Sequence, residues 1–247
     1  MPWKSPPSSE LLLAPNQVHL WRATGLPPDP WKALPELEQN LIQSVMDETI
    51  RMQKLAARST LRILLAKYLN LLPHEISLLR TSAGKPYLIQ KQNPLNIEFN
   101  LSHTSIGRGQ FQTGETVFGF TLGQKIGVDL EFNQRRQIDL KVARRFFSPN
   151  EINLITQSNL SCEVQKNHLL RLWVCKESLA KALGLSILPI LGSTDFTKIK
   201  PFKWFTPSSH SDYGVFYMNQ KDGSHCAISK TGLQALSNQI KHFKLEQ

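Results

Sequence analysis

Two acidic residues, Asp129 and Glu131, lie two positions apart in the otherwise apolar run 126–132. The alternation of this run predicts a β-strand, and residues two apart in a strand share a face at a distance of about 6–7 Å. Such a pair usually marks the solvent-exposed face of a half-buried strand. It also suits a hard cation, because Mg²⁺ is commonly held by one or two carboxylates together with phosphate oxygens. Both interpretations, an exposed strand face and a cation site, remain open for these two carboxylates.

A second polar group lies further along the chain, where Trp173, Glu177 and Lys181 follow one another at intervals of four. Residues four apart share a helix face, so we expect these side chains on one face, with Gly184 at the helix end and Lys176 beside Glu177. Glu177 and Lys181 also form the ordinary i, i+4 pair that stabilises a helix by about 0.2–0.5 kcal/mol. Taken alone, the spacing favours that structural role.

Two short motifs in the first half of the chain contain residue types that could contact a ligand. The first suits a phosphate, and the second carries a histidine. In Gly84-Lys85-Pro86, the glycine allows close backbone approach to a ligand and the proline keeps the preceding lysine extended. Ser102-His103 is not a hydrolase pair, because adjacent side chains of a strand point to opposite faces and no G-x-S-x-G motif surrounds the serine. His103 is either a hydrogen-bonded core histidine or a functional one.

The elements that must position these residues occur in blocks along the chain. Residues 36–71 have helical spacing and carry a basic stripe, which by default is a solvated face: Arg51, Lys54, Arg58 and Arg62. Residues 80–132 read as strands, with a hairpin turn at Gly123-Gln124-Lys125. Helices return at Ser148 and over 165–183, and strands follow from residue 204. This order predicts an α+β fold in two similar halves, residues 1–122 and 123–247.

Composition narrows the class of protein. The 247 residues are 40% hydrophobic and 19% charged, which is typical of a globular chain. The net charge of +10 indicates a polyanionic partner. Three cysteines without a C-x-x-C spacing make a disulfide scaffold or a zinc finger improbable. No apolar run reaches the roughly 18 residues of a membrane span, and none suits a signal peptide, so we expect a cytoplasmic protein without a membrane partner.

The combination of motifs is more specific than any one of them. G-x-D-x-E at 127–131 is followed by W-x-x-K-E-x-x-x-K-x-x-G at 173–184, and before them lie Arg58, the 84–86 motif and Asn100 to His103. This set resembles the Sfp-type 4′-phosphopantetheinyl transferases of the holo-acyl-carrier-protein synthase superfamily, over about residues 55 to 185. The segment Arg144 to Ser148 with Glu151 also looks like that family's connecting segment.

The resemblance implies a monomer with pseudo-twofold symmetry that binds coenzyme A (CoA) in the cleft between two α+β halves. It implies Mg²⁺-dependent transfer of the phosphopantetheine arm of CoA to a serine of an apo carrier protein, with release of 3′,5′-ADP. The chemistry suits the residue types, since phosphoryl transfer asks a protein mainly for positioning and charge neutralisation.

The resemblance also implies roles for individual residues. Asp129, Glu131 and Glu177 would hold Mg²⁺ on the pyrophosphate; Glu177 would act as base toward the serine; and Lys181 would support the β-phosphate and the leaving group. The remaining residues would contact CoA, either at its phosphates or in its nucleotide pocket: Arg58, Gly84, Lys85, Pro86, Ser102, His103 and Lys176.

The segment from Asn133 to Phe147 is the expected docking surface for the carrier protein. It is strongly basic, with Arg135, Arg136, Lys141, Arg144 and Arg145 against the single acid Asp139. The resemblance implies a carrier that is acidic beside its acceptor serine, so complementary charge would steer the encounter.

The alternative function is that of a basic nucleic-acid-binding protein. It would explain the net charge, but it leaves the three carboxylates without a role, and the sequence lacks a nucleic-acid-binding motif. A CoA-dependent acyltransferase ranks last, because the motif region offers no acyl-transfer nucleophile.

Overall fold

The computed structural model describes residues 11–104, 114–133, 140–157, 159–232 and 240–245. Within these ranges the helices are α1 (Glu36–Gln43), α2 (Glu48–Leu69), α3 (Leu140–Phe146), α4 (Pro149–Ile155), α5 (Cys162–Leu183) and α6 (Leu188–Ser193). The strands are β1 (Val18–Thr24), β2 (Leu78–Arg80), β3 (Pro86–Leu88), β4 (Ile97–Thr104), β5 (Glu115–Leu122), β6 (Ile126–Phe132), β7 (Trp204–Phe205), β8 (Tyr213–Asn219), β9 (Ser224–Thr231) and β10 (Ile240–Leu245). The fold is α+β, as predicted.

The described residues fall into two compact units. The first draws on Met1–Glu98, His103–Gly123 and Gln239–Gln247, and the second on Phe99–Ser102 and Gln124–Asn238. This division differs from the predicted halves in three places, because the middle of β4 groups with the second unit, β10 groups with the first, and Gly123 also falls in the first. No helix in the described ranges is both long and apolar enough to cross a membrane.

Strands β1 and β5 of the first unit belong to a sheet in the order β10-β1-β5-β4, and α2 contacts this sheet through Tyr68, which bonds to His19 and Trp21 of β1. Strand β1 is antiparallel to β5, with Leu20 opposite Gly119, and parallel to β10, with Leu20 opposite His242. The predicted helical stretch 36–71 is two helices, because Asp47 starts α2 by accepting a hydrogen bond from the Ile50 amide at 2.9 Å. Asn70, with φ of 52°, ends it.

The second unit is an antiparallel sheet in the order β6-β9-β8-β7, with α5 packed against it. The register of β6 and β9 places Asp129 opposite Ala227 and Glu131 opposite His225. Helix α5 begins where the Ser161 side chain accepts from the Val164 amide, and it ends at Gly184, with φ of 73°. A single core cluster joins α5 to α3, α4, α6 and the sheet.

Candidate active site

The close packing of α5 on β6 depends on Gly127. A Cβ at this position would lie 2.0 Å from the carbonyl oxygen of Ser178 and 2.4 Å from the amide nitrogen of Ala182. Both atoms belong to the backbone of α5, so a side chain could not be accommodated by a rotamer change. The first residue of G-x-D-x-E therefore brings the helix that carries Glu177 and Lys181 directly onto the strand that carries Asp129 and Glu131.

The same observation fixes the face on which the two strand carboxylates lie. Residues 127, 129 and 131 alternate to one side of β6, and that side meets α5. As a result only 4% of Asp129 and 8% of Glu131 is exposed. The prediction that they share a face is confirmed, whereas the interpretation of that face as solvent-exposed is wrong, because β6 is buried on both sides.

Asp129 and Lys181 are the centre of the site. The Nζ of Lys181 lies 2.7 Å from Oδ1 of Asp129, and it also donates to the carbonyl oxygen of Val128 at 3.2 Å. The Ser102 hydroxyl donates to the same Oδ1 at 2.8 Å and accepts from Lys181 at 3.2 Å. The Lys181 side chain as a whole is 28% exposed. Three motifs far apart in the sequence thus meet at one carboxylate.

The other carboxylate oxygen of Asp129 is suited to bind a cation. Oδ2 is buried and has no hydrogen-bond partner among the described residues. A buried carboxylate oxygen without a donor is costly, and a cation would satisfy it. Within the ranges that the structure describes, no three Asp, Glu, His or Cys side chains are grouped so that they could hold a metal ion. The chemistry of Asp129 fits Mg²⁺, and the triad with Glu131 and Glu177 stays a prediction.

Asn100 is a site residue to which the sequence analysis assigned no role. Its Oδ1 accepts from the Val128 amide at 2.9 Å, and so it connects β4 to β6 one residue before Asp129. The signal was present in the sequence, since Asn100 and Ser102 are two apart in one strand and share a face. His103, on the other face, is exposed. The alternative of a core histidine is therefore wrong.

Lys176 requires a correction, because it faces the interior and not CoA. Its side chain is 0% exposed, and its Nζ lies 2.9 Å from Oε2 of Glu151. The same ammonium group donates to the carbonyl oxygens of Leu191 and Thr194. Burial lowers the pKa of Lys176, and the Glu151 carboxylate opposes this shift. All these partners belong to the second unit, so Lys176 is a structural residue.

In the first unit, Arg58 is partly exposed and is held by an acidic residue of α1. Its Nη1 donates to Oε1 of Glu38 at 2.9 Å, while Oε2 of Glu38 binds Arg62 at 2.7 Å. Arg62 is buried and its guanidinium also donates to the carbonyl oxygens of Pro73 and Ile76. The basic stripe is thus only partly a solvated face.

Gly84 and Lys85 lie in the turn of the β2–β3 hairpin, and Pro86 is the first residue of β3. Gly84 has a φ of 82°, a conformation that glycine adopts without strain. The turn is closed by bonds of Thr81, whose amide donates to the Lys85 carbonyl at 2.9 Å and whose hydroxyl accepts from the Lys85 amide at 3.1 Å. Lys85 and Pro86 are partly exposed, and a role in binding CoA stays a prediction for all three residues.

Comparison with known proteins agrees with the motifs. A family model described as the 4′-phosphopantetheinyl transferase superfamily matches residues 125–231, and one described as the N-terminal part of 4′-phosphopantetheinyl transferase matches residues 30–107. The chain is similar to the 4′-phosphopantetheinyl transferase HetI of Nostoc sp., with 31% identity over 191 residues that cover 72% of this chain and 73% of that protein.

Two further relatives match over shorter regions. A 4′-phosphopantetheinyl transferase of Bacillus pumilus is 34% identical over 118 residues, or 47% of this chain and 43% of that protein. The L-aminoadipate-semialdehyde dehydrogenase-phosphopantetheinyl transferase of Rattus norvegicus is 33% identical over 140 residues, or 54% of this chain and 42% of that protein. None of these matches supports the alternative of a nucleic-acid-binding protein. The chain is a 4′-phosphopantetheinyl transferase and belongs to the superfamily of that name.

Proposed function

We propose that this enzyme transfers the 4′-phosphopantetheine arm of CoA to a serine of an apo carrier protein in a Mg²⁺-dependent reaction. The serine oxygen forms a bond to the β-phosphorus, the bond from that phosphorus to the bridging oxygen breaks, and 3′,5′-ADP leaves. The observation that carries the proposal is the pairing of Lys181 with Asp129 in the buried G-x-D-x-E strand, one helical turn from Glu177.

Asp129, Glu131 and Glu177 are the proposed metal-binding residues. The unsatisfied Oδ2 of Asp129 supports this assignment, because it offers a buried anionic oxygen without a protein donor. Bound Mg²⁺ would neutralise charge on the pyrophosphate oxygens. Asp129 would hold it directly, and Glu131 and Glu177 would complete the carboxylate set.

Glu177 and Lys181 are the proposed proton-transfer and charge-stabilising residues. Glu177 is partly exposed, and its carboxylate would accept the proton of the acceptor serine. Lys181 would place its positive charge where the leaving phosphate oxygen becomes more negative, which is the usual contribution of lysine in phosphoryl transfer. The close approach of Gly127 to Ser178 and Ala182 brings the helix that carries both residues onto β6.

The proposed CoA contacts include Arg58, Lys85 and His103 for the phosphates, and Gly84, Pro86 and Ser102 for the nucleotide. Arg58, Lys85 and His103 are each at least partly exposed, as a contact to a ligand requires. Lys176 is omitted from this set because its ammonium group is buried among protein acceptors.

Helix α3 is the proposed docking surface for an acidic carrier protein. Its basic residues Lys141, Arg144 and Arg145 are exposed, together with Val142. Phe147 instead packs in the core of the second unit. Arg135, Arg136 and Ile138 lie outside the described residues. We further propose that the enzyme acts as a cytoplasmic monomer. Sedimentation of the purified protein at its working concentration tests the oligomeric state.

One experiment tests the proposed reaction. The protein is incubated with CoA, Mg²⁺ and an apo carrier protein, and the intact mass of the carrier is measured. The expected result is the addition of a single phosphopantetheine group, which disappears when a chelator removes Mg²⁺. Retention on a heparin column in about 0.5 M salt, together with an unchanged carrier mass, would instead favour a specific polyanion-binding protein, since non-specific phosphate contacts weaken steeply with salt.

A further inference from the structure

The Asp129 carboxylate is held by hydrogen bonds at one of its two oxygens. Oδ1 accepts from the Ser102 hydroxyl at 2.8 Å and from Nζ of Lys181 at 2.7 Å. Oδ2 is buried and has no hydrogen-bond partner among the described residues. Because each oxygen of a carboxylate offers about two lone pairs, the two donors fill Oδ1, and Oδ2 is the oxygen left for a cation.

The orientation of the Ser102 hydroxyl follows from the same contacts. The hydroxyl oxygen accepts from Lys181 at 3.2 Å, and the hydroxyl proton is donated to Asp129. Ser102 and Asp129 are both buried, and both belong to the second unit. The hydroxyl therefore acts on the carboxylate, in addition to the contact with the nucleotide proposed for this residue.

Asn100 holds the backbone next to Asp129. Its Oδ1 accepts from the Val128 amide at 2.9 Å, while Lys181 donates to the Val128 carbonyl oxygen at 3.2 Å. Strand β6 lies at the edge of its sheet, and here side chains bond both the amide and the carbonyl group of one residue. Asn100 and Ser102 are two apart in β4 and share a face, so one strand face holds the carboxylate and the peptide group beside it.

We propose that Asn100 and Ser102 are positioning residues that orient the Asp129 carboxylate so that Oδ2 stays available to the cation. The inference rests on the proposed function, because it concerns the residue assigned to Mg²⁺. Hydrogen-bond partners of a metal-binding side chain fix its orientation, and metal affinity depends on them. Without the Ser102 hydroxyl, the carboxylate is free to turn and to offer both oxygens to the Lys181 ammonium group.

Ser102→Ala and Ser102→Thr form the test pair, because threonine keeps the hydroxyl that alanine removes. The measurement is the binding of Mn²⁺, a paramagnetic substitute for Mg²⁺, followed by electron paramagnetic resonance at saturating CoA and without carrier protein. Ser102→Ala should weaken Mn²⁺ binding by about 10-fold or more, and Ser102→Thr should retain most of the affinity. Asn100→Ala tests the second contact separately and should also weaken Mn²⁺ binding.

The matched control is Ser229→Ala, which removes another buried serine hydroxyl of the second unit, bonded to Ser178 at 2.8 Å. It should lower the melting temperature and leave Mn²⁺ binding unchanged. Equal losses of Mn²⁺ affinity in Ser229→Ala and Ser102→Ala, or in Ser102→Thr and Ser102→Ala, would overturn the inference. So would a Ser102→Ala protein with a raised KM for CoA and wild-type Mn²⁺ binding, since the serine would then contact only the nucleotide. A wild-type protein that binds no Mn²⁺, or that transfers nothing, would overturn the proposed function instead.

Discussion

The α-carbon of Gly127 lies so close to Ser178 that a Cβ at residue 127 would stand 2.0 Å from the Ser178 carbonyl oxygen. This contact joins the two signature motifs through backbone atoms. The Ser178 side chain adds a hydrogen bond to Ser229 of β9 at 2.8 Å. The glycine is therefore required by packing, and the positions of Asp129 and Lys181 depend on it.

Gly127→Ala should destabilise the second unit, because the methyl group collides with backbone atoms that no rotamer change can move. Overpacking of this kind typically costs about 1–3 kcal/mol, and more where backbone must shift. Thermal melting of the purified variant measures the loss. Gly192→Ala is the matched control, since its nearest neighbour, the Phe146 carbonyl oxygen, would be 3.2 Å away. Equal melting temperatures for the two variants would show that β6 and α5 are not in close contact.

Asp129→Asn should abolish most of the transfer activity, because the amide keeps the shape of the side chain but removes the anionic oxygen that a metal needs. We expect a fall in kcat of about 10²–10³. Asparagine is preferable to alanine here, since Asp129 is buried and paired with Lys181, and alanine would also leave a cavity. Metal titration of both proteins provides the measurement. Wild-type turnover by Asp129→Asn at limiting Mg²⁺ would refute the metal assignment.

Lys181→Met should reduce kcat far more than it raises KM for CoA, because the ammonium group meets charge that grows in the transition state. Loss of one such group usually costs about 10²–10³ in rate. If the lysine served only as the structural partner of Asp129, the substitution would leave that buried carboxylate unpaired, and stability would fall while the turnover of the folded protein stayed near the wild-type value. Steady-state kinetics together with a melting curve distinguish the two roles.

Arg144→Glu/Arg145→Glu should raise KM for the apo carrier and leave KM for CoA unchanged, because both arginines are exposed on α3. The effect should be largest at low ionic strength, since charge steering weakens as the Debye length falls to about 8 Å near 0.15 M salt. The rate with each substrate varied in turn, at two salt concentrations, supplies the data. An unchanged KM for the carrier would remove α3 from the docking surface.

The full chain should lose stability as the pH falls from about 6.5 to about 4. Burial lowers the pKa of His19 to about 4, with a smaller contribution from Lys241, and burial also lowers the pKa of His242 to about 4. The unfolded chain binds protons at both residues in this window and the folded chain does not, so acid favours unfolding. Between pH 7 and pH 5, each histidine should lower the free energy of unfolding by about 2 kcal/mol.

Urea unfolding at these two pH values measures the loss, and His19→Gln is the informative variant. It should be less stable than the wild type at neutral pH, because the hydrogen bond between Tyr68 and the imidazole is lost, but it should lose about 2 kcal/mol less on acidification. The same loss in both proteins would mean that His19 titrates normally in the folded state.

Local signals in the sequence predicted most of the elements. The Ser148-Pro149 start of α4 and the Gly184 end of α5 lie where capping preferences put them, because these bonds are made within a few residues. The alternation of residues 126–132 likewise predicted β6. The shared face of Asp129 and Glu131 followed from that alternation alone.

What the sequence did not reveal depends on contacts between distant segments. Alternation shows that Asp129 and Glu131 share a face, but not that a helix covers it, and so their burial was missed. Lys176 is next to Glu177 in sequence, but a one-residue step along a helix turns the side chain by about 100°. As a result Lys176 faces the interior, where it pairs with Glu151. The pairing of β10 with β1 was also not predictable from local sequence patterns, because the two strands lie at opposite ends of the chain.

Strand β10 has a consequence for the order in which the protein is made. It pairs in parallel with β1, so the first sheet takes one strand from residues 18–24 and another from residues 240–245. On the ribosome, all four strands of the second sheet and α5 emerge before β10 does. The second unit can therefore close its sheet while the first still exposes the edge of β1, a state in which the nascent chain is open to mispairing and to chaperones.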